Sequence, residues 1–222
     1  MNFFGHAVVA QRREATRGPV RAEFVLGAML PDFASMLRVR PPSSSLSDLE
    51  AGLRFHHLTD DAFHGCDSFL EFSGQALVFL KDRGLSRGSA RAVAHVGVEL
   101  LLDSAFVSDI ANEAYLRAVH SASTERVASQ IHWQSANGRD RFAQLCHTLS
   151  RRGNLRSDTA PELIAERLRY ILAGRPRLAL DDAGQSVVRD WAMSVRPAIL
   201  DGAPLLLRQV EQRLETAIGL ER

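Results

Sequence analysis

Apolar residues recur at helical spacing along almost the whole chain, while the two-residue alternation of a half-buried strand is nearly absent. Residues 2–12 suit a short helix or an extended lead-in, and Thr16-Arg-Gly-Pro-Val20 reads as a turn. An apolar stretch over 20–38 follows. Pro31 is expected to open a new helix within it, because proline fits the first helical turn. Pro41-Pro-Ser-Ser-Ser-Leu-Ser47 is a break. Ser45 or Ser47 can cap the next helix, and Glu50, three residues after Ser47, fits a capping box. That helix reaches about His64, where Gly65 ends it. Further helices are expected at 66–82 and 89–107, then at about 108–120, 123–134, 138–150, 160–173 and 184–217. Pro197 and Pro204 are expected to kink or split the last one. The pattern predicts an all-α fold, a single-domain helical bundle over residues 1–222.

The totals narrow the function. A chain of 222 residues can bury one good-sized core. A net charge of +1 supplies no global attraction to nucleic acid or to an anionic membrane, so no nucleic-acid partner is expected. No apolar run approaches the ~20 residues of a membrane span. The first ten residues are apolar with Arg12 and Arg13 after them, the reverse of a secretory signal. Cys66 and Cys146 stand far apart with no CxxC, which suits reduced thiols in a cytoplasmic protein.

Two helices carry polar residues where apolar ones belong. On the helix ending near His64, His56, Asp60 and His64 fall at i, i+4 and i+8 and continue the stripe of Leu46, Leu49 and Leu53. On the helix over 89–107, His95 and Glu99 share a face with Leu102 and Phe106, and Asp103 lies one turn further on. Buried imidazole and carboxylate groups need partners, and a metal ion satisfies several at once. One such helix is equally well explained by a buried His–Glu hydrogen bond; two favour a metal. His6, among Phe3, Phe4, Val8 and Val9, and Asp32, beside Pro31, join the set. The expected ligands are therefore His6, Asp32, His56, Asp60, His95 and Glu99, all within about residues 1–110. His57 or His64 is expected to exchange a proton near neutral pH, with His57 and Asp61 in reserve as ligands. Imidazole and carboxylate donors without thiolate suit Mn, Fe, Zn or Mg. Arg175 and Arg177, in a late basic loop, are the candidates for holding a substrate phosphate. His120, His132 and His147 lack acidic neighbours at helical spacing and read as structural or surface residues.

The ordered motifs resemble those of the acyl carrier protein (ACP) phosphodiesterases, or ACP hydrolases. Met1-Asn2-Phe3-Phe4-Gly5-His6 is similar to the family's Met-Asn-apolar-apolar-Ala-His opening, and Gly27-Ala-Met-Leu-Pro-Asp32-Phe33 to its Gly-Asn-Leu-Leu-Ala-Asp-Phe. Gly52-Leu53-x-x-His56-x-x-x-Asp60 resembles Gly-Ile-x-x-His-Arg-x-Ile-Asp. His95-x-x-x-Glu99 falls where the family has Asp-x-x-x-Asp, and Arg175-Pro176-Arg177-Leu178 resembles a late Arg-Pro-Arg-Leu. The resemblance implies an HD-domain-like all-α fold and a divalent metal, commonly Mn. It also implies a phosphoester substrate, holo-ACP, from which 4′-phosphopantetheine is released by water activated on the metal. The alternatives are a zinc-dependent phospholipase C-like or nuclease-like helical hydrolase, or a non-catalytic helical binding protein. This sequence departs from the family pattern at His57, where the family has Arg, at His64, where it tends to have an acid, and at His95 and Glu99.

Overall fold

The computed structural model describes residues 1–155 and 160–220. Arg156, at the end of the basic run Arg151-Arg152-Gly-Asn-Leu-Arg156, lies outside the described residues. The protein is all-α. Among the described residues the helices are α1 (Phe3–Ala15), α2 (Ala22–Leu37), α3 (Ser47–His64), α4 (Asp67–Asp82), α5 (Arg87–Ala105), α6 (Asp109–Ser121), α7 (Glu125–Ala128), α8 (Gly138–Arg152), α9 (Pro161–Ala173) and α10 (Asp182–Leu220). A two-stranded antiparallel pair joins β1 (Ser43–Ser44) to β2 (Ile131–His132). No helix among the described residues is long and apolar enough to cross a membrane.

Three expectations are corrected. Pro31 does not begin a helix; it lies inside α2. Its missing N–H costs the bond that would reach Gly27, and interior proline costs ~3 kcal/mol or more. Val25, Leu26, Met29, Leu30 and Phe33 are all fully buried on that helix, and burying such side chains yields roughly 1.5–3 kcal/mol each, which outweighs the lost bond. The helix expected over 123–134 is only the single turn α7; beyond it Ile131 and His132 pair with Ser44 and Ser43. Of the kink or split expected at Pro197 and Pro204, the split is absent: α10 is one continuous helix through both. The cap of α3 also differs in detail. Glu50 reaches back to accept from the Ser44 amide at 3.1 Å, and the Ser44 hydroxyl accepts from the Leu46 amide.

The chain divides into two compact units. The first holds Met1–Asp61, Phe106–Leu155 and Leu214–Arg222; the second holds Ala62–Ala105 and Arg156–Arg213. In the first, α1 packs on α2 and α6, and α8 packs on α2 and α6. Its core is aromatic: Phe3 lies 5.4 Å from Phe33, and Phe4 meets Tyr115 edge-on at 5.8 Å. Arg21, at the start of α2, ties the end of α1 to the start of α3, donating to Glu14 at 2.5 Å and to Asp48 at 2.7 Å. Gly27 on α2 and Gly52 on α3 form a close crossing. A Cβ on either would come within 2.9 Å of the other's Cα, so only glycine lets these backbones approach so closely.

In the second unit α5 packs on α4 and α9. Trp191 is fully buried, and its ring occupies the space where a Cβ on Gly97 would sit. Both cysteines are buried and free.

Candidate metal centres

The first centre is built at the glycine crossing. His56 stands one turn after Gly52, and Ala28 directly follows Gly27, so the close approach brings the His56 ring to the Ala28 carbonyl. The His56 Nδ1–H donates to that oxygen at 2.9 Å. A carbonyl only accepts, so the proton is on Nδ1 and the Nε2 lone pair is left available, the form in which a metal-bound histidine is oriented by its second nitrogen. His6, from the first turns of α1, is fully buried and stacks on His56 with ring centroids 3.9 Å apart. Its Nε2 lies 3.3 Å from Asp60 Oδ1 and 3.8 Å from Asp32 Oδ2. Neither His6 ring nitrogen has an aligned hydrogen bond among the described residues.

Electrostatics sort these groups into ligand form. Burial lowers the His6 pKa to about 3, against the opposing pull of Asp60, so the ring is neutral. Burial lowers His56 as well. Burial pushes the Asp60 carboxyl up, but the His6 ring and the Met1 amine outweigh it and hold the group well below the usual carboxylate range. The Met1 amine donates to Asp60 Oδ1 at 2.9 Å. One ligand atom each from His6, His56 and Asp60 lie within 4.8 Å of one another. Two ligand atoms each ~2.1 Å from a tetrahedral ion stand roughly 3.4 Å apart, so the His6–Asp60 separation fits shared coordination. A buried, neutral imidazole with no well-aligned hydrogen bond among the described residues is a costly arrangement that an ion would relieve. The residues present therefore fit a divalent metal.

The second centre lies in the second unit. His64, at the end of α3, joins His95 and Glu99 of α5, and one ligand atom from each falls within 4.8 Å of the others. Both Nε2 atoms lie 3.2 Å from the same Glu99 oxygen. The two rings stack at 4.8 Å and 11°. Phe69 sets its edge against both, at 5.2 Å and 5.4 Å. Burial pushes the Glu99 carboxyl up, but the hydrogen bonds of His64 and His95 outweigh it and hold the group below its ordinary range.

Of the expected ligands, His6, His56 and Asp60 come together with Asp32 beside them, and His95 and Glu99 come together elsewhere on the chain. His64 was expected as a proton carrier and is found in the ligand group of His95 and Glu99. His57 is exposed, with its ring edge-on to His56 at 5.3 Å; Asp61 is exposed too. Arg175 and Arg177 lie in the turn after α9, where Arg177 lines an open cleft with Arg83, Ser86, Ser89 and Asp181. None of the residues lining that cleft belongs to either histidine group. His120, His132 and His147 are exposed, and His132 pairs with the Ser45 hydroxyl at 2.6 Å. Sequence reasoning missed the Ala28 carbonyl, the Met1 amine and Phe69. Only the paired glycines, Gly27 and Gly52, hinted that backbone would enter the first centre. The chain matches no protein-family profile, no curated protein and no solved structure.

Proposed function

We propose that this protein is a divalent-metal-dependent phosphoric ester hydrolase of the ACP phosphodiesterase kind, with the His6–His56–Asp60 group as its metal centre. The observation that supports it best is the pairing of two buried neutral imidazoles with an ionised carboxylate, on residues that lie within the motifs resembling that family. When bound, the ion would activate water and neutralise phosphate oxygens. His6 and His56 offer nitrogen lone pairs, Asp60 offers charge, and Asp32 lies close enough to His6 to extend the set. His57, exposed beside His56, is the residue proposed to give a proton to the leaving oxygen. The role of Arg175 and Arg177 on the substrate phosphate rests on the resemblance of their loop alone.

A second reading is favoured by the donor set. Two imidazoles per carboxylate are typical of zinc hydrolases, which suits a zinc-dependent, phospholipase C-like or nuclease-like enzyme acting on another phosphodiester. Metal content and holo-ACP mass test both. Protein purified and reloaded with Mn or Zn is incubated with holo-ACP, and loss of the 4′-phosphopantetheine mass is monitored. Metal uptake with an unchanged ACP mass removes the substrate and leaves the hydrolase class. No uptake at micromolar metal, with His56→Ala behaving as the parent does, leaves a non-catalytic helical binding protein.

A further inference from the structure

We infer that His64, His95 and Glu99 form a metal site complete in itself, which takes a nitrogen-preferring divalent ion of the zinc class and leaves coordination open towards solvent. The inference does not depend on phosphoester hydrolysis and would stand if the protein cleaved nothing.

Two imidazoles that share one carboxylate can take separate oxygens or meet at the same one. Here both Nε2 atoms converge on one oxygen, each at 3.2 Å, from rings that lie nearly parallel. That separation matches the roughly 3.4 Å edge between two ligands of a tetrahedral ion. The rings are held by apolar contacts. Phe69 packs edge-on against both, and Phe63 edge-on against His64 at 5.2 Å. Their directions are thus fixed by packing, which is how a preorganised site is supported.

Exposure grades across the group. The Glu99 side chain is 11% exposed, His64 31% and His95 50%. The charge lies at the bottom and the more exposed imidazole at the mouth, so an ion can enter from water and be met by the carboxylate. Three protein ligands and an accessible fourth position are the pattern of an open zinc site. Two nitrogens against one carboxylate select Zn, Fe, Co or Ni over Mg or Ca, which prefer oxygen.

Zinc chloride titrated into the full-length protein against a chromophoric chelator tests this. His95→Ala changes a half-exposed side chain, and Glu99→Gln keeps the shape while removing the charge; circular dichroism checks the fold of each. The expected result is loss of one zinc equivalent, or its weakening at least 100-fold, in both variants. One zinc equivalent should also persist in His56→Ala and vanish when His95→Ala is added to it. Cobalt in place of zinc should give a visible absorption band that His95→Ala abolishes. Zinc stoichiometry and affinity equal to the parent's in folded His95→Ala and Glu99→Gln would overturn the inference.

Discussion

The imidazoles of His6 and His56 stack at 3.9 Å, although fifty positions separate them in sequence. Burial keeps both neutral, and neutrality is what metal ligation requires. Protonating either ring would put a cation against its buried neighbour.

In protein stripped of metal by a chelator, stability should fall as pH falls. The unfolded His6 takes its proton near 6.5 and the folded one only near about 3. Between those values the unfolded state binds more protons, so the native state loses ground. One such group costs roughly 2 kcal/mol between pH 7 and pH 5, or about 4–8 °C in melting temperature for a chain of this size. Asp60 has a lowered folded value, so its contribution is present above the ordinary carboxylate range and is lost at still lower pH. Melting curves at pH 7, 6 and 5 provide the check. A flat profile, or an unchanged slope in His6→Ala, would count against a buried neutral pair.

Gly52→Ala should be among the most damaging single-methyl substitutions in the protein. Its Cβ would meet the Ala28 amide nitrogen at 2.9 Å, and backbone cannot swing aside as a side chain can. The expected loss is about 3 kcal/mol or more, at the upper end for overpacking, together with weaker metal binding, because the His56–Ala28 bond depends on the same crossing. Gly74→Ala is the contrast: it is exposed within α4 and has nothing within 4 Å of the added Cβ. That change should stabilise by roughly 0.5–1 kcal/mol. Urea denaturation of the two variants should give opposite signs.

His57→Gln separates binding from chemistry. The side chain is exposed and lies outside the first ligand group. Metal content and melting temperature should stay at parental values while kcat on a phosphodiester substrate falls about 10²–10⁴-fold, as for loss of a general acid. Full activity would remove His57 from the proposed reaction.

Both thiols should be silent until the chain unfolds. Cys66 and Cys146 are each 1% exposed, and burial pushes both up, Cys146 to about 12. The thiolate is the reactive form, so an aromatic disulfide reagent at pH 8 should label neither in native protein and both in denaturant. Rapid labelling of either in the native state would contradict the packing described.

Much of this protein was legible one helix at a time. His56, Asp60 and Glu99 interrupt apolar stripes on strongly periodic segments, and that interruption marks them whatever the helices pack against. Pro31 misled because local preference favours a helix start, whereas the burial of Leu26, Met29, Leu30 and Phe33 carries α2 straight through it. Residues 123–134 misled for a related reason. Their apolar spacing is too short to hold a helix unaided, and pairing of Ile131 with Ser44 takes the backbone instead.

The sequence by itself determined the helical class, the run of most helices and the residue types able to hold a metal, because these follow from periodicity and side-chain chemistry within single segments. Only the tertiary structure decided how those residues group. His64 keeps company with His95 and Glu99 because α3 ends where Phe69 and α5 receive its ring. His6 reaches Asp60 because α1 lies in the same unit as the glycine crossing. Such groupings depend on contacts between residues dozens of positions apart. No local pattern encodes them, since they arise from which apolar faces bury one another and how closely two glycines let their backbones approach.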